Sequence, residues 1–417
     1  MPSDAGRVRA LDKAHSWHPF TPMAAWCAPE HEALVIVEGE GAYLIDSEGR
    51  RYLDGNSSIW TNIHGHRHPK IDAAICDQLG KIAHLSFLGA THPLAAELGA
   101  RLCRFFPLET LTRCFFSDDG STAIEAALKM SAQYWEMTGQ PQRTRFVSFR
   151  AAYHGDTRGA ASLGDIPLFR GGLNACDFPA ARISSMEELK NLETNDIAAV
   201  VIEPILQGVA GMKIWPSGML ADLRSWTEQH GIHLILDEIM TGFGRTGKMF
   251  ACQHENVIPD FLCLAKGITG GYLPLAATLT NETVFHAFQG DASRAFYYGH
   301  SYTANPLGCA AAMASLDIFE EEKTLDHLAG KIAFLGEKLA KLKNSHSSIS
   351  DIRQCGFVAG IDVMHGRGAK ICLAARAHGL LTRPIRDTVV LMLPYCVTNS
   401  EISQAVSAID RAVSETA

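Results

Sequence analysis

A chain of 417 residues, 47% hydrophobic and 20% charged, can bury a large core without disulfide or metal staples, and its composition excludes disorder and coiled coil. A net charge of −8 with no Lys/Arg stripe excludes non-specific nucleic-acid binding and leaves small molecules as the favoured partners. Eleven scattered cysteines without a C-x-x-C, a polar start from Met1 to Trp17, and no apolar run near the roughly 18 residues of a membrane span predict a cytoplasmic chain without membrane contact.

In chain order, the region before about residue 60 carries extended patterns and turns (ALVIVEGEGAYLIDSEGRRYLDG). From about 112 to 300 the apolar runs RCFFS, TRFVSF, IAAVVIEPI, HLILDEI, DFLCLA and PLAATLT alternate with helix-like stretches. That alternation predicts a mostly parallel sheet with helices on both faces. Between Glu203 and Asp237, GMLADLRSWTEQHG puts Leu220, Leu223 and Trp226 on one helical face and stops at Gly231, as a βαβ crossover does. Residues 309–343 and 400–413 read as helices. The expected fold is α/β, with a large domain over 61–308 and a smaller α+β domain built from 1–60 and 309–417.

Candidate chemistry lies mainly at the strand ends. His64-x-His66-x-His68 could present ligands on one side of a strand, but Gly65 and Pro69 interrupt it and no carboxylate or cysteine cluster joins it, so no metal is expected. Ser117 to Thr122 follows a strand and opens a helix, where Gly120 and Ser121 would present free N–H groups and a positive dipole end to a phosphate; Thr122 and Glu125 have capping-box spacing. Tyr153-His154-Gly155-Asp156 is either a plain turn or one that lays an aromatic on a ring. Asp237 closes a buried strand. It either caps the next helix or pairs with a cation, since a buried carboxylate is costly unpaired. Glu203 ends the preceding strand in the same way and reads as structural.

Gly242-x-Gly244-x-x-Gly247 matches a dinucleotide fingerprint literally, yet irregular chain rather than an amphipathic helix follows it, which argues against a nicotinamide enzyme. Lys266 follows the apolar run Leu262–Ala265. Most lysines are solvated, but burial lowers an amine's pKa and makes it nucleophilic toward an aldehyde. Gly267, Gly270 and Gly271 would let backbone pass close to a ring or phosphate. A buried lysine with a strand-end aspartate is the pairing pyridoxal 5′-phosphate requires.

The run LILDEIMTGFGRTGKMFACQHENVIPDFLCLAKGITGGYLPLAAT resembles the signature of the class III (ω-) aminotransferases. WHPFTPM (17–23), DGNSSIWTNIHGHRHP (54–69), YHGDT (153–157), GHSYTANPLGCAAA (299–312) and LLTRP (380–384) extend the likeness over nearly the whole chain, toward the branch that aminates 8-amino-7-oxononanoate. The resemblance implies pyridoxal-phosphate fold type I and a homodimer with shared active sites. Lys266 would carry the cofactor, Asp237 would pair with its ring nitrogen, and Tyr153 would stack on the ring. Gly120 and Ser121 would hold its phosphate, with Ser301 reaching it from the partner subunit. Trp60, Ile59, Phe20, Gly299 and Arg383 would form the substrate side, Arg383 binding the carboxylate of a keto-acid acceptor. Phe20 and Ile59 stand where members using S-adenosylmethionine have tyrosine and tryptophan, which keeps lysine as a second candidate for the amine donor. Another ω-aminotransferase, acting on a diamine, ornithine or 4-aminobutyrate, is the alternative. The roles of Glu203, Gln207 and Asp156 stay open.

Overall fold

The computed structural model describes residues 4–170, 178, 180–364 and 366–416. Its central sheet orders seven strands as Arg113–Ser117, Ala276–Thr280, Phe261–Leu264, His233–Asp237, Ile197–Ile202, Arg145–Phe149 and Ala180–Ile183. All run one way except Ala276–Thr280, which is antiparallel to both neighbours. Six of these strands are the runs expected from the sequence. The seventh, Ala180–Ile183, is a half-buried edge strand carrying Arg182, too short and too mixed to give a periodic signal. At the sheet's centre every residue of Ile197–Ile202 is buried, because helices cover both faces.

The crossover helix Met219–His230 lies between Gly218 and Gly231, both at positive φ, and buries Leu220, Leu223 and Trp226. Helix Gly120–Met137 buries Ile124, Ala127, Leu128, Ser131 and Trp135, the face expected. Its capping box differs from the expected Thr122/Glu125 pair: Asp119 is the cap, its side chain accepting from Thr122 N–H while its own backbone N–H donates to Thr122 Oγ1. Glu125 instead accepts from the N–H groups of Gly159 and Ala160, at the start of helix Arg158–Leu163. A carboxylate inside one helix thus caps the next.

The two chain ends meet in a second sheet. Strands Ile36–Glu40, Tyr43–Asp46 and Arg51–Asp54 are joined by Leu380–Leu381, which pairs in parallel with Leu53 and Asp54. The stretch expected to be helical over 309–343 is two helices, Pro306–Glu321 and Thr324–Ser345, with Lys323 at φ 46° between them. Helix Asn399–Glu415 follows a Thr398/Glu401 capping box. Among the described residues no helix is long and apolar enough to cross a membrane, and no histidine, cysteine or carboxylate cluster is arranged for a metal. His66 of the HGHRH run turns away to Asp54, while the rings of His64 and His68 lie 6.0 Å apart, His64 bonding Ser315 and the backbone N–H of His68 meeting Tyr272.

Candidate active site

Strands end where backbone groups lose their ladder partners, so the carboxyl ends of a parallel sheet are where loops and ligands gather. Glu203, Asp237 and Lys266 end or follow three adjacent strands and line one cavity of about 450 Å³. Trp60, Gly120, Ser121, Tyr153 and His154 line it too. Asp237 and Glu238 divide the work by strand alternation. Buried Glu238 accepts from Thr241 Oγ1 at 3.0 Å and from the N–H groups of Ala251 and Cys252 at 2.7 Å, so it anchors a loop and leaves the cavity to Asp237.

Asp237 Oδ2 lies 2.7 Å from His154 Nδ1, and Oδ1 accepts from Ile239 N–H at 3.1 Å. Burial works against a charge on His154, but the bond to Asp237 and the nearby carboxylates outweigh it and hold its pKa above the ordinary value. Glu203 Oε2 accepts from Gly208 N–H at 2.8 Å. Its Oε1 and His154 Nε2 are buried with no hydrogen-bond partner among the described residues. Burial pushes the Glu203 carboxyl up to about 7 against the pull of His154. Around Lys266, burial lowers the amine's pKa, partly offset by the charges of Asp237 and Glu203. The amine sits 4.8 Å from the centre of the Trp60 ring.

Opposite these groups is the start of helix Gly120–Met137. N–H groups in a first helical turn have no intrahelical acceptor; Asp119 takes that of Thr122, and Gly120 and Ser121 line the cavity. The turn from Tyr153 to Asp156 is locked onto them. Ser121 Oγ accepts from Asp156 N–H at 3.1 Å, and Gly155, at φ 121°, leaves no room for a Cβ beside Ser121. Pyridoxal phosphate fits this donor set: a buried carboxylate for a protonated ring nitrogen, a lowered amine for the aldehyde, and a helix start for the phosphate.

The expected site residues separate into two groups. Lys266, Asp237, Tyr153, Gly120, Ser121 and Trp60 come together around the cavity. Phe20 is exposed, but its ring lies 5.1 Å from Phe169, which in turn lies 5.6 Å from Tyr153. Ile59, Gly299, Ser301 and Arg383 are exposed and do not line the cavity of their own chain. Tyr153 donates its hydroxyl to Asp156 at 2.5 Å. Gln207, also outside the lining, donates to Arg150 O at 3.3 Å.

Two cavity groups carry less weight in the sequence than in the structure: His154, which stands beside Tyr153 in the same turn, and Glu203, whose strand-end position is the twin of Asp237. Met240 and Leu273 to Leu275 also line the cavity and give no signal in the sequence beyond being apolar. The stretch from Gly242 to Gly247 is a run of turns, with Arg245 buried and donating to Leu393 O at 2.8 Å. It holds loops together and presents no dinucleotide-binding helix.

Residues 26–413 match the aminotransferase class-III family. The adenosylmethionine-8-amino-7-oxononanoate aminotransferase of Geobacter sulfurreducens is 40% identical over 98% of this chain and 98% of its own. The crystal structure of the enzyme of that name from Methanocaldococcus jannaschii superposes with a TM-score of 0.95 at 37% identity, covering 99% of both chains. An amine transaminase from an uncultivated Pseudomonas species, in its PLP-bound form, gives 0.91 at 35% identity, covering 96% of this chain and 98% of its own. The chain belongs to the class III aminotransferases, pyridoxal-phosphate-dependent enzymes of fold type I.

Proposed function

We propose that this enzyme transfers an amino group to 8-amino-7-oxononanoate, giving 7,8-diaminononanoate for biotin synthesis, with S-adenosylmethionine as donor and lysine as the competing donor. The observation that carries the reading is full-length similarity to enzymes named for that acceptor, in a chain whose cavity is lined by both the Lys266 amine and the Asp237 carboxylate. Bound pyridoxal phosphate supplies the electron sink that makes the substrate's carbon–hydrogen bond acidic.

The chain's own residues do the rest. Lys266 would hold the cofactor, and its amine would move the proton at the substrate carbon. Asp237, backed by His154, keeps a proton on the ring nitrogen. Gly120 and Ser121 bind the phosphate, and Tyr153 covers the ring. Trp60, Ile59 and Phe20 shape the substrate side, and Arg383 binds the acceptor's carboxylate, for which a planar guanidinium is suited. Gly299 and Ser301 serve the partner's cavity in a homodimer, which accounts for their exposure in the single chain. The domain division at 60 and 308 and a cytoplasmic location belong to the same reading; the described cysteines are free thiols.

Incubating the purified enzyme with each donor and then with 8-amino-7-oxononanoate, while following the cofactor's visible absorbance and the diamine product, tests it. Turnover with 8-amino-7-oxononanoate is expected, and K266A should abolish it. Turnover with only a diamine, ornithine or 4-aminobutyrate would overturn the acceptor.

A further inference from the structure

We propose that Asp54 and His66 are positioning residues: their hydrogen bond clamps the strained turn Ser57–Trp60, which holds the Trp60 indole against the Lys266 amine. The turn is conformationally unusual. Ser57, Ser58 and Trp60 have φ of 45°, 60° and 65°, so three of four consecutive residues occupy the left-handed half of φ space and none is glycine. Side chains with a Cβ rarely adopt that conformation, and it persists only where surrounding contacts over-determine it.

Those contacts come from three separate parts of the chain. Asp54, 1% exposed, accepts Ser58 N–H on both carboxylate oxygens at 2.8 Å, Ser58 Oγ at 3.3 Å, and lies 3.0 Å from His66 Nε2. Ser57 Oγ donates to Met392 O at 2.7 Å. Asn56 Oδ1 accepts the indole N–H of Trp60 at 3.0 Å. His66 is itself held: its backbone exchanges hydrogen bonds with Gly41, and its ring fills the space that a Cβ on Gly39 would need.

The result of all this is the placement of one ring. The indole packs on Gly208, where a Cβ would approach it to 3.2 Å, and its face lies 4.8 Å from Lys266 Nζ. Neither Asp54 nor His66 lines the cavity, so neither touches a substrate there; they act through Trp60. A buried carboxylate is the suited anchor because it can accept several hydrogen bonds at once, and those to an ionised acceptor are the stronger ones. The inference rests on Trp60 facing the substrate, and the test separates the two ideas.

D54N, H66A, H66Q, W60F and the double variant W60F/D54N are compared as holoenzymes for kcat and acceptor KM. Acrylamide quenching of tryptophan fluorescence in the cofactor-free full-length chain is the second readout. D54N and H66A are expected to raise acceptor KM about tenfold, as small misplacements near a reacting centre do, with a smaller change in kcat. H66Q, which keeps a donor for Asp54, should recover most of the loss. In the W60F background D54N should add little, and the extra quenching caused by D54N should disappear.

Equal losses from D54N with and without Trp60, or H66Q as poor as H66A, would overturn the clamp while leaving Trp60 in the substrate pocket. W60F without effect would overturn the placement of Trp60 and the clamp with it. Should D54N fail to fold, the H66A and H66Q pair decides.

Discussion

His154, Glu203 and Asp237 are buried side by side on one cavity, and that crowding has a measurable sign. The folded pKa values of His154 and Glu203 lie above their ordinary values of 6.5 and 4.5, so the folded chain keeps protons that the unfolded chain releases. Stability from such groups is present below the unfolded pKa and is lost as pH rises through the folded one. For Glu203 that window runs from about 4.5 to about 7. Gln cannot titrate, so the cofactor-free E203Q variant is expected to gain on the wild type as pH rises from about 5 to about 8, by on the order of 2 kcal/mol. Urea denaturation at either end of that range reads the difference; parallel curves would show that Glu203 keeps its charge in the folded chain. Sequence places this glutamate at a strand end and still cannot say which group it faces. That depends on His154 arriving from a different strand.

At the scale of elements, the proposed phosphate cradle depends on a turn and a helix start that are distant in sequence but packed without slack. Gly155 sits at φ 121° with Ser121 where its Cβ would be. G155A therefore combines a disfavoured backbone with a steric conflict, and Ser121 must move. Cofactor affinity of G155A, measured by fluorescence titration of the cofactor-free protein, is expected to drop tenfold or more, roughly what a lost cradle contact implies, while far-UV circular dichroism stays near wild type. Undiminished affinity would place the phosphate elsewhere. Periodicity makes six central strands and the crossover helix legible, because buried strands and one-sided helices leave regular apolar patterns. The capping box is not legible in the same way. S/T-x-x-E spacing at Thr122 competes with an aspartate three residues earlier, and only the position of Gly159 shows where Glu125 goes.

For the whole molecule, the exposed groups assigned to a neighbouring site lie beside an apolar surface. Leu88 is 94% exposed and Tyr302 61%. His84 lies against Tyr302, the chain neighbour of Ser301, with the two rings 4.7 Å apart. Large exposed apolar side chains next to exposed site residues mark an interaction surface. Light scattering is expected to give twice the chain mass of 45.3 kDa. L88D should shift the mass toward the monomer and weaken cofactor retention, since Ser301 would then be withdrawn from its partner. A monomeric wild type with full activity would remove the shared-site arrangement.

The sequence by itself determined the α/β class and the alternation of strands and helices, and it singled out Lys266 and Asp237, which line one cavity. Those properties are local: they follow from periodicity and from the cost of burying an amine or an acid. Tertiary structure alone decided that His154 backs Asp237, that Glu203 faces the cavity while Gln207 does not, and that Asp54 and His66 meet outside it at the turn that carries Trp60. Each of these joins residues from separate strands or from both ends of the chain. Such contacts are fixed by sheet order and loop packing, which no spacing along the sequence records.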